Sequence, residues 1–454
     1  MSNNEGEQPG SACEHNAASE VYGWFLVGLL ILAALVSYID RQVIAIVVGP
    51  MRADLGISDT EIGWLYGIFA VFFALAGMPL AMLADRYNRM RLIAAGIFLW
   101  SLMTAGCGLA RSFVQILLAR IGVGVGEAVL TPAANSLIAD AFPRPRVPLA
   151  VSVFMIGATV GSGLAFVVGG AVLGLLQGVE SIELPLLGRV APWQQLFLWC
   201  ALPGLALAPL FLWMREPVRQ QPVPKIEDRG TLVELWAFYS QHRATLILHH
   251  LGFLCLSLMG FAFVFWTVAF FSRVHGMDPA RAAVTFGWIF VVMGSLGSIW
   301  TPLLALRLAQ RGHRDANIVA AMIGGGAAML AISIVQTMPS AFWAFVLYVP
   351  AMFFNASPFG LAYGSLPVIT PPRMRAFVTS VFMCVVNLGM LLGPPIAGFF
   401  NDKVFPDTDG VRWSLLTIAP FFGLLGLTLL ALCRRHYARS MLAADAYEVA
   451  VQRH

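Results

Sequence analysis

Arg120-Ile121-Gly122-Val123-Gly124-Val125-Gly126-Glu127-Ala128 lies inside a run of apolar and small residues from Phe113 to Ala139. Such a run is long enough to cross the ~30 Å hydrocarbon core of a bilayer as one helix. Its two charges then stand at membrane depth, where a charge costs at least about 2.5 kcal/mol and persists only against a partner or water. Seven residues make close to two helical turns, which places Arg120 and Glu127 on one face about 10 Å apart, too far to pair with each other. Each therefore needs another partner or a polar cavity. Gly122, Gly124 and Gly126 strip side chains from the adjoining faces and let neighbouring helices come close.

The same kind of run recurs along the chain. Mean hydropathy is +0.78, with 59% hydrophobic and only 11% charged residues, far from the averages of soluble domains. Hydrophobic length and periodicity predict twelve membrane helices, over 22–50, 60–83, 91–110, 113–140, 147–175, 192–214, 244–272, 280–306, 315–336, 340–369, 376–400 and 412–433. The expected fold is an all-α membrane protein of two pseudo-symmetric six-helix bundles, 21–214 and 244–434. A tail over 1–20, expected to be disordered, precedes them, and another over 435–454 follows. The first twenty residues carry Glu5, Glu7, Glu14 and Glu20 without Lys or Arg, unlike a signal or transit peptide.

A polar linker over 215–243 divides the halves, with Pro217, Pro222, Pro224 and the charged Glu227-Asp228-Arg229-Gly230. In it Leu232, Leu235, Trp236 and Tyr239 fall at helical spacing, which fits a short amphipathic helix on the membrane surface or an ordered linker. An internal repeat supports the division. Ser136-Leu137 before Arg144-Pro145-Arg146 recurs, with the same spacing, as Ser365-Leu366 before Arg373-Met374-Arg375, and Gly157-x-x-x-Gly161 recurs as Gly389-x-x-x-Gly393. If the amino terminus faces the cytoplasm, nearly all arginines fall on that side and only Arg52, Arg111, Arg189, Arg273, Arg281, Lys403 and Arg412 fall outside. This asymmetry obeys the positive-inside rule and puts both termini in the cytoplasm. Sparse lysine and compact loops suggest the inner membrane of a bacterium.

Several classes are disfavoured. The six cysteines form no CxxC pair and no ligand spacing with histidine, so neither a metal site nor a disulfide framework is expected. Scattered basic residues give no nucleic-acid stripe, and no phosphate-binding loop of an ATP-driven pump occurs. No nucleophile, base and orienting residue group together, so no enzyme is expected.

The loop after the second helix, Ala81-Met82-Leu83-Ala84-Asp85-Arg86-Tyr87-Asn88-Arg89-Met90-Arg91, resembles the loop signature of the major facilitator superfamily. Ala81 and Asn88 stand where that signature has glycines, and the corresponding loop Arg307-Leu308-Ala309-Gln310-Arg311-Gly312-His313-Arg314 lacks the acid. The resemblance implies a cytoplasmic gate at Asp85, Arg86 and Arg89 across the half-to-half interface. Ser37-Tyr38-Ile39-Asp40-Arg41 in the first helix, the Arg120 to Ala128 stretch, and Gly393-Pro394-Pro395-Ile396-Ala397-Gly398 together resemble the spinster branch of that superfamily. The branch is described as proton-linked exporters of lysolipids and sphingosine phosphate, and its intramembrane charges map onto Asp40, Arg41, Arg120 and Glu127.

The residues agree with that implication on their own. Adjacent helical residues point about 100° apart, so Asp40 and Arg41 address different neighbours, one facing the fourth helix and the other a cavity. A proton-coupled carrier needs a carboxyl whose protonation changes with access state. Asp40 and Glu127 are the expected proton carriers, and Arg41 and Arg120 their counter-charges or anchors for an anionic head group. His249 and His250, near the start of the seventh helix, are expected at the membrane interface. Ser37, Tyr38 and Thr131 are expected to line a cavity with Phe263, Trp266, Phe270, Phe354 and Asn355, its polar wall holding a head group and its apolar wall an acyl tail. Pro350, Pro358 and Pro367 would let the tenth helix bend as a gate.

These residues predict a secondary transporter of amphiphilic molecules working by alternating access as a monomer, with the proton gradient as driving force and no cofactor, and the resemblance implies a lysophospholipid or sphingosine-phosphate-like substrate. A carrier of small organic anions or drugs, and an uncoupled lipid scramblase or membrane sensor, are the alternatives.

Overall fold

Backbone that crosses lipid must satisfy its own hydrogen bonds, which for a single segment means a helix. A computed structural model of the chain describes residues 9–178, 181–184, 188–219 and 232–452. Among these residues twelve helical spans are long and apolar enough to cross a membrane. The helices are α1 (Pro9–Ile46), α2 (Val48–Leu55), α3 (Asp59–Arg86), α4 (Arg89–Leu109), α5 (Phe113–Glu127), α6 (Leu130–Ala141), α7 (Val147–Leu175), α8 (Pro192–Trp213) and α9 (Leu232–Gln241). They continue as α10 (Arg243–His275), α11 (Pro279–Ile289), α12 (Ser295–Gln310), α13 (Ala316–Gln336), α14 (Ala341–Gly364), α15 (Leu366–Ile369), α16 (Arg375–Phe399) and α17 (Gly410–Gln452). An antiparallel hairpin, β1 (Ile182–Leu184) and β2 (Gly188–Val190), joins α7 to α8.

Proline sets the breaks that hydropathy does not show. A proline ring clashes with the carbonyl four residues earlier and lacks an N–H. The fourth span accordingly divides between α5 and α6 four residues before Pro132, and α1 ends at Ile46, four residues before Pro50. The tenth span runs through Pro350 and Pro358 and breaks at Ser365, just before Pro367, so one of the three expected bends is a true interruption. In the eighth span a π-helical turn, Phe290–Gly294, separates α11 from α12.

Two termini differ from expectation. The segment expected as a disordered tail is helical from Pro9, with neither glycine nor proline between Ser11 and Glu20 to interrupt it, and residues 1–8 lie outside the described residues. The tail expected over 435–454 continues α17 to Gln452, because nothing after Gly426 breaks the helix. In the linker, the Glu227-Asp228-Arg229-Gly230 stretch lies outside the described residues. The amphipathic helix is present as α9, but Phe238 is buried and Trp236 is 76% exposed, so the inward face is turned away from the tryptophan. Burial holds the His242 imidazole just after it below its ordinary range, and its Nδ1 lies 3.0 Å from Ser440 Oγ.

The two halves repeat one packing scheme. In the first, α1 packs on α7 and α4 on α8; in the second, α10 packs on α16 and α13 on α17. The repeated glycine pairs are the seats of this scheme. A Cβ at Gly157 or Gly161 would press on Ile31 or Tyr38 of α1, at 3.1 Å each. One at Gly389 or Gly393 would strike Ser257 at 2.1 Å or Leu258 at 2.7 Å in α10.

Between the halves, α3 meets α16 and α7 meets α11. At Gly63 a Cβ would lie 2.6 Å from the Pro395 backbone, and at Gly67 2.2 Å from the Leu391 carbonyl, which Pro395 leaves without its helical donor. Gly163 and Gly287 make the matching approach on the other side. All four lie in the half of the membrane away from the termini. On the terminus side of Gly67, α3 instead presents Leu75, Met78 and Met82 exposed. The bundle is thus sealed on the face opposite the termini and parted on the terminus face.

Candidate functional site

The four intramembrane charges come together where α1, α3 and α5 meet, and the glycines of α5 are the reason. A Cβ at Gly124 would lie 2.8 Å from the Phe69 carbonyl of α3, and at Gly126 2.9 Å from Trp100 of α4. As the spacing requires, Arg120 and Glu127 do not pair. Glu127 Oε2 accepts from Ser37 Oγ and from Arg41 Nε, both at 2.6 Å. Its other oxygen, Oε1, finds no protein donor. Arg41 lies over the rings of Tyr38, Phe69 and Phe73 at 5.0, 4.9 and 4.8 Å. With 18% of its side chain exposed, against none of Glu127's, Arg41 is the charge that reaches open space.

Asp40 turns the other way. Its carboxyl is fully buried in the first half, both oxygens without a protein partner. Arg120 donates to the main-chain carbonyls of Asp40 (Nη1, 2.8 Å) and Leu65 (Nε, 3.4 Å), and its Nη2 is unpartnered. Ser37 and Tyr38 therefore belong to the charge cluster, and Thr131 is exposed one turn beyond Glu127. The aromatics expected to line the cavity do not. Phe263 is stacked on Tyr348 at 4.7 Å, Trp266 donates its indole N–H to the Pro394 carbonyl at 3.0 Å, and Phe270 is buried. They are packed because α10 is the most enclosed span, at the centre of its half. Asn355 is buried against Gly260 with Oδ1 unpartnered, and the half-buried Phe354 packs on Trp300. The aromatic wall the residues do build is Phe69 and Phe73 of α3. Their four-residue spacing on the face that carries Tyr66 is the signal by which they could have been found.

On the face opposite the termini the halves are tied by charges of which the sequence pointed out only Arg52 and Arg273, and those as topology markers. Buried Asp59 accepts from Arg273 Nη1 at 2.5 Å and Nη2 at 2.9 Å, from Asn401 Nδ2 at 2.9 Å, and pairs with Arg52 at 3.4 Å. From the second half, the Asp402 carboxylate caps the start of α3, accepting from the backbone of Asp59 and Thr60 and from Thr60 Oγ1. An acid at a helix amino terminus meets unpaired N–H groups and the positive end of the helix dipole. Gln177 and Asp278 add a third link between the halves.

The terminus face carries no such tie among the ion pairs described. The expected gate at Asp85, Arg86 and Arg89 stays within the first half. Arg219 binds the main-chain carbonyls of Ala84, Asp85 and Tyr87, Arg86 is exposed, and Arg89 is buried against Asp140 (2.5 Å), Glu216 (2.6 Å) and Ser136 (2.8 Å). With the halves parted here, the second half is out of reach. Removing one partner of a buried ion pair costs about 3–5 kcal/mol, so Arg89→Ala should lower unfolding free energy by roughly that much. Arg86→Ala should change it by under about 0.5 kcal/mol; thermal unfolding of the two variants in detergent checks the contrast. His249 and His250, near the start of α10, are buried in the protein, His249 at 2.7 Å from Ser365 Oγ and His250 at 3.3 Å from the Tyr239 hydroxyl of α9.

Comparison with known proteins follows the same lines. The family model described as Major Facilitator Superfamily matches residues 30–370 and 283–443. An MFS-type efflux pump of Mycolicibacterium smegmatis is 25% identical over 92% of this chain and 94% of its own. Protein spinster homolog 1 of Homo sapiens is 26% identical over 88% and 78%. A crystal structure of a bacterial homologue of the human lysosomal transporter spinster, inward-facing and unoccupied, superposes with a TM-score of 0.75 at 25% identity, covering 97% of this chain and 99% of that one.

Proposed function

The chain belongs to the major facilitator superfamily, and on that premise we propose that it is a proton-coupled secondary transporter of single-chain lipids with an anionic or zwitterionic head. It is a multi-pass membrane transporter and not an enzyme, with relatives in the spinster branch. One observation carries the substrate and the coupling together: Arg41, partly exposed in its aromatic cage, is held by a carboxyl on which a proton can settle. With Glu127 ionised, Arg41 is engaged. A proton on Glu127 releases the guanidinium, which then has its planar fork free for a phosphate. Asp40 is the second proton carrier of this reading and Arg120 its nearby counter-charge, which in the state described donates to the Asp40 main-chain carbonyl and not to its carboxyl; the proton gradient drives the cycle without a cofactor.

The positive-inside pattern supports placing the terminus face in the cytoplasm, in the inner membrane of a bacterium. The state described is then inward-facing, closed by the Asp59 and Arg273 lock and open toward the cytoplasm. Asp85 and Arg86 are assigned to the opposite state, where closing the terminus face would bring the second half to them. The protein acts as a monomer. A second reading, transport of small organic anions, needs only Arg41 and its cage.

Binding to the purified protein separates the two. Burial of a methylene contributes about 0.8 kcal/mol, so lysophospholipid should bind at least tenfold more tightly than its head group without a tail. Equal affinity for both would favour the small-anion reading.

A further inference from the structure

On the outer side of the first half, α4, α8 and the β1–β2 hairpin enclose a cavity of about 250 Å³, apart from the Arg41 and Glu127 cluster. Ala105 of α4, Leu198, Leu202 and Leu205 of α8, and Ile182 and Val190 of the hairpin line it. Glycines explain why a gap stands here. A Cβ at Gly108 would fall 2.7 Å from the Gln194 carbonyl and 3.0 Å from Leu198, and one at Gly204 2.0 Å from Ser101 Oγ, so α4 and α8 touch closely at both places. Between these two seats the walls carry Ala105 and Ala201, whose methyls leave the space open.

The polar groups at its upper end are engaged within the protein. Gln195 Nε2 donates to the Val190 carbonyl at 3.2 Å and Gln194 Nε2 to the Ala110 carbonyl at 2.8 Å, which braces the hairpin and α4 on α8 and leaves apolar walls. Trp199 and Leu202 form the outer rim, 55% and 52% exposed. Both helices are membrane spans that pack on one another and on helices of their own half, so the rim meets the bilayer. Along α8 the lining from Gln195 to Leu205 covers about 15 Å, half of the ~30 Å hydrocarbon core, which is the acyl region of the leaflet opposite the termini. One positive charge stands at the mouth. Arg111, exposed just after α4, has Nη2 2.6 Å from the place a Cβ on Gly188 would take, two residues along β2 from Val190. Gly188, at φ 69°, leaves the guanidinium that room. Arg189 and Glu183 are paired in register on the other face of the hairpin, where their charges offset.

We propose that this cavity is a binding site for an anionic phospholipid of the bilayer, with one acyl chain between α4 and α8 and the phosphate on Arg111. Bilayer chains are as apolar as these walls, so burial of the chain gives no preference over the surrounding membrane. The preference comes from the charge-assisted hydrogen bond of a guanidinium to a phosphate oxygen. A zwitterionic head brings its own cation to the same place and fits less well. The lipid ties α4, α8 and the hairpin together, so its occupancy stabilises the folded first half by mass action. It is a resident of the membrane and not the transported molecule.

Native mass spectrometry and thermal unfolding of the delipidated full chain in detergent test this, with phosphatidylglycerol and a diacylglycerol of the same chains as probes. One phosphatidylglycerol per chain should bind more tightly than any further copy and raise the unfolding temperature. Arg111→Gln should raise its Kd about tenfold, the scale of one charge-assisted hydrogen bond, and leave diacylglycerol binding unchanged. Ala105→Phe, which fills the cavity from α4, should weaken both lipids, and Leu205→Phe fills it from α8 if that variant does not fold. Phosphatidylglycerol binding that neither substitution weakens, or several copies of equal affinity, overturns the proposal. So does lysophospholipid competing on equal terms with transport lost in Ala105→Phe, which would give the groove to the substrate, or a dimer that Leu202→Ser separates, which would give it to a second copy. The binding readouts need no proton gradient, so they decide this site whether or not transport proves proton-coupled.

Discussion

Asp59→Asn should open the face opposite the termini. Asp59 has no exposed surface and gathers Arg273 and Asn401 across the half-to-half boundary, with Arg52 of its own half beside them. Removing one partner of a buried pair costs about 3–5 kcal/mol, because the other charge is left without compensation. That cost falls on the state closed at this face, whereas in the opposite state Arg273 is free to meet water. A change of that size alters the ratio of the two states by on the order of a hundredfold or more. Spin labels at positions 86 and 311, at the terminus-face ends of α3 and α12, report it. The native chain should give one long distance, and Asp59→Asn a second, shorter population as the terminus face closes. Arg273→Ala should act in the same direction. An unchanged distance distribution in both variants would mean that the packed glycines at Gly63 and Gly67, not the charges, hold this face shut.

Glu127→Gln should abolish uphill transport while sparing binding. The amide cannot take or release the proton, and it turns the 2.6 Å charge-assisted contact with Arg41 into a weaker neutral one. Arg41 is then permanently available, so lysophospholipid binding should persist and lose its pH dependence. Arg41→Ala should do the reverse, raising the Kd by about 30-fold or more, the scale of losing a charged partner from a buried contact. Equilibrium binding across pH, with accumulation in liposomes under a pH gradient, distinguishes these outcomes. Loss of binding in Glu127→Gln would instead assign the carboxylate to the substrate site.

The contrast between these two sites marks what the chain discloses before folding. Spacing alone requires Arg120 and Glu127 to find separate partners, and the structure supplies Arg41 and Ser37 for one and main-chain carbonyls for the other. Adjacent Asp40 and Arg41 must point apart, and they do. Helical periodicity fixes faces, however, and not which helix a face meets, so the pairing of Arg41 with Glu127 was not legible. The lock at Asp59 was hidden for a related reason. Its partners in the second half lie more than two hundred residues away, and an acid in the first turn of a helix reads as an ordinary complement to the helix dipole. Aromatic content misled in the second half because Phe263 and Trp266 sit on a helix enclosed on nearly every side, where rings fill space between helices. The gate residues belong to a different conformational state: among the described residues Asp85 and Arg86 show no side-chain partner across the halves in a molecule parted on their side.

The central claim is that lipid movement is driven by protons through this cluster. The direct measurement follows proton flux and labelled lysophospholipid together, in liposomes holding the purified native chain under an imposed pH gradient. The account predicts that lipid accumulates against its own gradient with a matched proton movement, and that both cease when the pH gradient is dissipated. Lipid that merely equilibrates, at the same rate with or without the pH gradient and with no accompanying proton movement, would contradict it.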